Sequence, residues 1–425
     1  MKNKVIALIA LLFTVCRVAE AQEAYARKVV STLASDKYAG RGYIFDGDKK
    51  AAKYIANEMK KSGLKPVDGK SYMQGFELGA NVFPKAAVVK VNKNTLKMGV
   101  NALVDAASPS ISGNFSLVAV SGKLNDDQVL KNIVQNKEFA GKAIYIDEAE
   151  QLKSINAQEL RRAIVLLMSA GEYSAIVVNT PSKFTWRASV TQSAKPAIYI
   201  KDVNLNPGEN QVSIDITAKY QPNYQTQNVC GFLKGTSDSD STILVTAHYD
   251  HLGVIGKKVV FNGANDNASG TALMLYLAQY YGKNRPKYNM IFLAFSGEES
   301  GLLGSKYYAA HPLNDLKKVK FLINVDMAGT GDEGIQVVNG SIFTKEFDLL
   351  TKLNTSKNYL PAVKVRGAMN RSDHAPFYEK GVPAFFIYTL GGTTAYHDIY
   401  DRYETLPFTK FNGYANLLTD FIDTF

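Results

Sequence analysis

The sequence predicts an α/β protein: a mostly parallel, twisted sheet flanked by helices, with a smaller α/β domain inserted into it. Three observations carry this expectation. From Gln227 to the C-terminus, strand-like apolar runs alternate with helical stretches. Those runs are continuous rather than alternating in polarity, as strands buried on both faces should be. A middle stretch with a strand and helix rhythm of its own interrupts the pattern.

In chain order, AYARKVVSTLA reads as a helix, AGRGYIFDGD as a Gly-rich turn, and KKAAKYIANEMKKSGL as a second helix stopped by Gly63. Between about Gly99 and Ser213, FSLVAVSG, KAIYID, YSAIVVN and PAIYIKD read as strands, with one helix at ELRRAIVLLMSAG. That segment holds no histidine and its acids lie in polar contexts, so it is assigned no chemistry and is read as a lid or spacer. After Gln227 the expected strands are NVCGFLKG, TILVTAH, YNMIFLAFS, KFLINVDM, GIQVVNG, KVRGA and PAFFIYTL. The expected helices are SGTALMLYLAQYYG, SGLLGSKYYAAH, TKEFDLLTKLNTS, HAPFYEKG and NGYANLLTDFIDTF, and TSDSDS at 236–241 is a polar turn.

At 425 residues the chain is long enough for two compact units and a large core. Lys2 and Lys4, the apolar stretch Val5 to Cys16, and Ala19-Glu20-Ala21 before Gln22 match a secretory signal over residues 1–21. The apolar stretch is about 12 residues, short of the ~20 that a bilayer requires, so no stable membrane span is expected. Val15 before Cys16 makes a poor lipoprotein signal. The expected location is therefore periplasmic or extracellular, with a mature start near Gln22. Loss of Lys2, Lys4, Arg17 and Glu20 takes the formal net charge from +10 to +8. The remaining lysines are scattered, without a basic tract interleaved with aromatics, which argues for a solvated surface and no nucleic-acid partner. Cys230 alone remains after cleavage, so no intrachain disulfide can form, and its strand-like setting suits a small buried hydrophobe.

Four apolar runs each stop at a side chain that can bind a metal: STILVTA before His248, YNMIFLAFSG before Glu298 and Glu299, FLINV before Asp326, and VPAFFIYTLGGTTAY before His397. In open parallel sheets ligands sit beyond the carboxyl ends of the strands, so residues far apart in sequence meet there. An acid after a strand ordinarily caps the next helix, a reading that weakens with each repetition. Asp266 in GANDNASGTALMLYLA is a further acid. With Ser269 expected to cap the helix, Asp266 is left to project toward the strand ends, where its two oxygens can bridge two cations. Asp250 is placed to accept the second ring N–H of His248. Glu298 and Glu299, consecutive at a turn, point in different directions, one as ligand and one as base. Asp326 ends a buried run and needs a positive partner. His248, Asp266, Glu299, Asp326 and His397 thus form a five-residue ligand set, with Glu298 as general base and the Tyr396 hydroxyl as a donor to a developing oxyanion. Imidazole and carboxylate ligands without thiolates suit zinc, with cobalt or manganese as substitutes.

HYDHLG, GANDNASG, FSGEESGLLGS, NVDM, SDHAPF and YHD, in this order and at these intervals, resemble the co-catalytic dizinc aminopeptidase family, metallopeptidase clan MH, whose relatives include glutamate carboxypeptidases and glutaminyl cyclases. The resemblance covers about residues 24–95 and 215–425 and implies a zinc exopeptidase fold. It implies that His248 and Asp326 hold one zinc ion, Glu299 and His397 a second, that Asp266 bridges them, and that Glu298 is the base. The middle segment is similar to a protease-associated domain. The implied organisation is a signal peptide at 1–21, the N-terminal part of the catalytic domain at 22–98, the inserted protease-associated-like domain at 99–213, and the main catalytic part at 214–425. Where many relatives continue Thr-Pro-Glu-Asp after the last histidine, this chain reads Asp398-Ile399-Tyr400-Asp401. Asp401 keeps the acidic position and Asp398 is an additional candidate partner for His397.

The expected function is that of an exported zinc-dependent exopeptidase, an aminopeptidase removing N-terminal residues from peptides by a water activated between two metals. The alternatives are a carboxypeptidase using Arg366 and Arg371 to grip a carboxylate, a glutaminyl cyclase, and a non-catalytic peptide-binding relative. Oligomeric state is not legible in the sequence.

Overall fold

The computed structural model describes residues 21–205 and 208–425; the expected signal, residues 1–21, lies outside them except for its last residue. No helix of the described residues is long and apolar enough to cross a membrane.

The principal sheet has nine strands. At its centre Asn289–Phe295, Thr242–His248, Val319–Asp326 and Ala384–Thr389 lie side by side in parallel. The flanks differ from the mostly parallel expectation. Lys219–Leu233 runs antiparallel to Asn289–Phe295 and extends into a long ribbon with Met73–Val82, while Ile335–Val338 closes the other side antiparallel to Ala384–Thr389. These flanking strands are reached by turns or by the long inserted segment, so no crossover helix constrains their direction.

Every residue of Thr242–His248 and of Asn289–Phe295 is buried, which is why both read as unbroken apolar runs. Their side chains alternate between two cores. Ile243, Val245 and Ala247 join the helices 21–33, Gly47–Lys61, Gly270–Lys283 and Phe411–Ile422 on one face, while Leu244, Leu293 and Cys230 meet Tyr308 and Phe377 on the other. Cys230 is fully buried, and burial pushes its thiol well up, in keeping with a packing role.

The second sheet has eight strands, with Ile111–Ala119, Ala143–Asp147, Ala175–Asn179 and Ala197–Ile200 parallel at its heart. It recruits chain from before the expected start at Gly99: Val88–Val91 pairs with Asn210–Ile216, and Asn94–Thr95 pairs with Val88–Val91. Val88–Val91 alternates exposed and buried residues, a pattern too short to stand out in the sequence. A second helix, Asp127–Gln135, escaped the sequence reading although Asp126 caps it by accepting from the backbone N–H groups of Gln128 and Val129. It packs beside Ala157–Ser169 through Leu130 and Ile133.

Candidate metal centre

Register builds the site. His248 pairs with Phe295 and Asp326 with Tyr388, so the carboxyl ends of the four parallel strands form one edge. There the structure brings His248, Asp266, Glu298, Glu299, Asp326 and His397 together. His248 Nε2 lies 3.4 Å from Asp266 Oδ1 and 3.4 Å from Asp326 Oδ1. His397 Nε2 lies 3.0 Å from Asp266 Oδ2 and 3.1 Å from Glu299 Oε2. The two oxygens of Asp266 therefore face different imidazoles. Two groups of converging donors result: His248, Glu298 and Asp326, and His251, Asp266 and Glu299, each offering ligand atoms within 4.8 Å of one another.

The supports of these side chains differ from the sequence reading in three places. Ser269 does not cap the helix: its hydroxyl donates to the Asn265 carbonyl (2.6 Å) and accepts the Ala328 N–H (2.7 Å), because the backbone at Ser269 is already helical. Asp266 is held instead by Asp401, whose carboxylate accepts the backbone N–H groups of Asn265 and Asp266 at 2.8 and 2.9 Å. Gly263 at φ +58° permits this loop, since a Cβ there would meet the Asp266 carbonyl at 2.2 Å.

Asp250 is the second correction. His248 Nδ1 is 3.2 Å from the Asp250 backbone carbonyl but 3.8 Å from its carboxylate. The carboxylate is occupied elsewhere, accepting from the Tyr43 hydroxyl (2.9 Å) and the Glu298 N–H (3.2 Å), so it positions the turn that carries Glu298. The third concerns His397. Neither Asp398 nor Asp401 meets its ring; His397 Nδ1 faces the Trp186 carbonyl at 3.0 Å. Asp398 pairs with Lys183 and accepts the Tyr400 N–H.

Two residues were missed. His251 is fully buried with Nδ1 2.8 Å from Glu299 Oε1, so it fixes the oxygen of Glu299 that His397 does not face. It lies three residues from His248 in HYDHLG, a spacing that could have flagged it. Arg41, also fully buried, donates to the carbonyls of Leu33, Tyr249, Asn262, Gly263 and Asp266, tying the Gly-rich turn to the Asp266 loop. An arginine in a glycine-rich turn ordinarily reads as solvated, so nothing local marked it.

Electrostatics show what this cluster lacks. Burial acts to lower the His397 and His248 pKa values, yet the surrounding carboxylates reverse that, raising His397 to about 11 and His248 well above its usual value. Burial acts to raise Glu299, but the His397 charge draws it down to about 2. Glu298 is pushed well up by burial, with His248 opposing and Glu299 adding to the rise. Asp373, buried nearby, is raised by burial to about 7. Uncompensated buried carboxylates cost several kcal/mol each, so this cluster favours positive charge among its acids. Asp326 Oδ1 and His251 Nε2 are buried without a hydrogen-bond partner. The donors, imidazole nitrogen and carboxylate oxygen without thiolate, fit a divalent cation of borderline softness. His251 competes with His397 for the second group. His397 Nε2 faces both acids while its Nδ1 is engaged by the Trp186 carbonyl, whereas His251 Nδ1 meets Glu299.

This predicts a pH dependence. With the imidazole pKa values raised, both rings carry protons at neutral pH in the cation-free protein, so cations must displace them, and affinity rises with pH. Titrating zinc into the cation-free chain at pH 7, calorimetrically in buffers of different ionisation enthalpy, is expected to release about one proton per imidazole engaged. No release would contradict the assignment.

Residues 228–422 match the model of peptidase family M28. A curated relative of the M28 segment, "Aminopeptidase YwaD" of Bacillus subtilis, is 29% identical over 270 residues, covering 59% of this chain and 56% of that protein. A "Probable zinc metalloprotease" of Pyrenophora tritici-repentis is 40% identical over 111 residues, covering 25% of this chain and 23% of its own length. The chain therefore spans about half or less of the curated relatives it matches. The solved zinc aminopeptidase BSAP from Bacillus subtilis shares the fold with TM-score 0.65 and 20% identity, covering 94% of each chain. A peptidase M28 precursor from Shewanella amazonensis does so with TM-score 0.67 and 16% identity, covering 96% of each.

Beside the cluster of imidazoles and carboxylates opens a cavity of about 150 Å³, whose wall includes His248, Glu298, Asp326 and His397 together with Met369, Arg371, Phe386, Tyr388 and Tyr396. Tyr396 stacks on the His397 ring at 4.0 Å and remains 44% exposed. Arg371 is exposed, whereas Arg366 lies outside this wall and donates to the Tyr388 hydroxyl at 2.8 Å.

Proposed function

We propose that this chain is an exported zinc aminopeptidase that hydrolyses the N-terminal peptide bond through a site for two cations. The observation that carries the reading is Asp266 presenting one oxygen to each of two imidazoles at the strand ends, beside an open cavity. The names of the relatives support the peptidase chemistry and the zinc, and residues 1–21 support export to the periplasm or medium.

In this reading His248 and Asp326 would hold one ion and Glu299 and His397 the other, with Asp266 placed between the two imidazoles. When bound, a zinc pair would supply Lewis acidity for the attacking water and the scissile carbonyl. Glu298 takes the proton of that water and delivers it to the leaving amine. Burial acts to keep its proton on, with the His248 charge opposing, so positive charge beside it is what would hold it ionised as the base. The Asp250 carboxylate holds the Glu298 backbone, and Tyr396, stacked on His397 with its ring partly exposed, offers a hydroxyl to the oxyanion. Met369, Phe386 and Tyr388 give the cavity an apolar wall for a substrate side chain.

The test is a panel of aminoacyl-p-nitroanilides, free-amine peptides and amine-blocked peptides, with zinc removed and restored. Turnover of free-amine substrates that tracks zinc is expected. Turnover indifferent to chelation, or confined to amine-blocked peptides, would contradict the reading.

Arg371 favours a second reading, in which the substrate brings a carboxylate to the cavity wall, as a carboxypeptidase substrate would. Arg371→Ala then raises KM about 10-fold for peptides with a carboxylate next to the scissile bond, the scale of one hydrogen bond between charged groups. Equal KM changes for neutral and acidic substrates would remove Arg371 from recognition.

A further inference from the structure

A loop of the inserted sheet reaches the site. Trp186, on a loop between the strands Ala175–Asn179 and Ala197–Ile200, exchanges two hydrogen bonds with His397: its N–H donates to the His397 carbonyl at 2.8 Å, and its carbonyl lies 3.0 Å from His397 Nδ1. Lys183 of the same loop donates to the Thr394 carbonyl at 2.6 Å and pairs with Asp398 at 2.6 Å. Four contacts thus bracket residues 394–398. The bracket is itself anchored. The Trp186 ring stacks on Phe261 at 4.4 Å, its Nε1 donates to the Val104 carbonyl, and Ile399 packs against the core of the inserted sheet.

A backbone carbonyl can only accept. Opposite Nδ1 it requires the proton there, which leaves Nε2, facing Asp266 and Glu299, as the nitrogen that would give up its proton to take a cation. His397 also sits at φ +53°, a left-handed conformation that a residue with a side chain keeps only when its surroundings impose it. The Trp186 N–H on its carbonyl and Lys183 on either side supply that constraint.

We propose that the inserted domain is a working part of the metal site: its 183–186 segment selects the tautomer of His397, holds its backbone, and thereby sets how tightly the ion at His397 and Glu299 is retained. Lys183 and Trp186 are positioning residues. The proposal rests on the reading of His397 as a ligand.

The test uses the full chain loaded with zinc and equilibrated against graded concentrations of a competing chelator, with zinc per chain measured at each step. Lys183 is substantially exposed, so Lys183→Ala should fold normally, and circular dichroism checks this. Lys183→Ala is expected to release one of the two ions at about 10-fold, and Trp186→Ala at about 100-fold, lower chelator concentration, the range for losing a partner that orients a ligand. Lys183→Arg should restore the parental curve. In ¹⁵N-histidine spectra of the zinc-loaded parent, His397 should carry its proton on Nδ1, and that signature should weaken in the variants. If Trp186→Ala fails to fold, Lys183→Ala and the spectra decide. Release curves for Lys183→Ala that coincide with the parent, with an unchanged His397 spectrum, would overturn the proposal. A His397→Ala variant that keeps its full zinc content would instead overturn the ligand reading beneath it.

Discussion

Replacing Glu298 with Gln is expected to lower kcat about 10²- to 10⁴-fold, the range for removing a general base, while zinc content and KM stay near parental values. The change keeps the shape of the side chain and removes its basicity. It also removes a carboxyl that burial drives toward its protonated form, so the variant should fold at least as well as the parent. Elemental analysis and steady-state kinetics on one preparation make the comparison. Turnover within a few-fold of the parent would show that another group moves the proton; loss of zinc together with turnover would place Glu298 among the ligands, which its convergence with His248 and Asp326 makes geometrically open.

Asp266→Asn should have the largest effect on the metals. Each oxygen of Asp266 faces a different imidazole, so losing its charge weakens both halves of the site together. Zinc content should fall below one per chain at micromolar metal, with kcat/KM reduced about 10³-fold or more, as for a group on which the whole site depends. The thermal upshift on adding zinc should shrink in parallel, because a ligand at about 1,000 times its Kd stabilises the parent by about 4 kcal/mol. A variant that binds one ion tightly, with a zinc-dependent upshift near that of the parent, would mean that Asp266 serves a single cation.

The ends of the buried strands were legible because full burial on both faces writes TILVTA and NMIFLAF as unbroken apolar runs, against which His248 and Glu298 stand out. Topology then does much of the rest: a parallel sheet places successive strand ends on one edge, so the convergence of His248 and Asp326 followed from strand assignments, while His397 is carried there by the loop after Ala384–Thr389. What supports those side chains was far less legible. Ser269 has the chemistry of a cap, but the Ala328 N–H and the Asn265 carbonyl claim its hydroxyl, a contest decided in part by a loop nearly sixty residues away. The acids after His397 were the natural sequence candidates for its partner, whereas the ring is met by the carbonyl of Trp186, 211 positions earlier. A backbone acceptor carries no side-chain signature, so no pattern of residue types could have revealed it. Arg41 was hidden for a related reason: its partners are five carbonyls that only the folded loops bring together.

The most direct test is an anomalous-difference map, recorded above and below the zinc edge, from crystals of the zinc-loaded chain. Two peaks are expected, one beside His248 and Asp326 and one beside His397 and Glu299, about 3.5–4 Å apart with Asp266 between them. A single peak, or peaks away from the two imidazoles, would contradict the account.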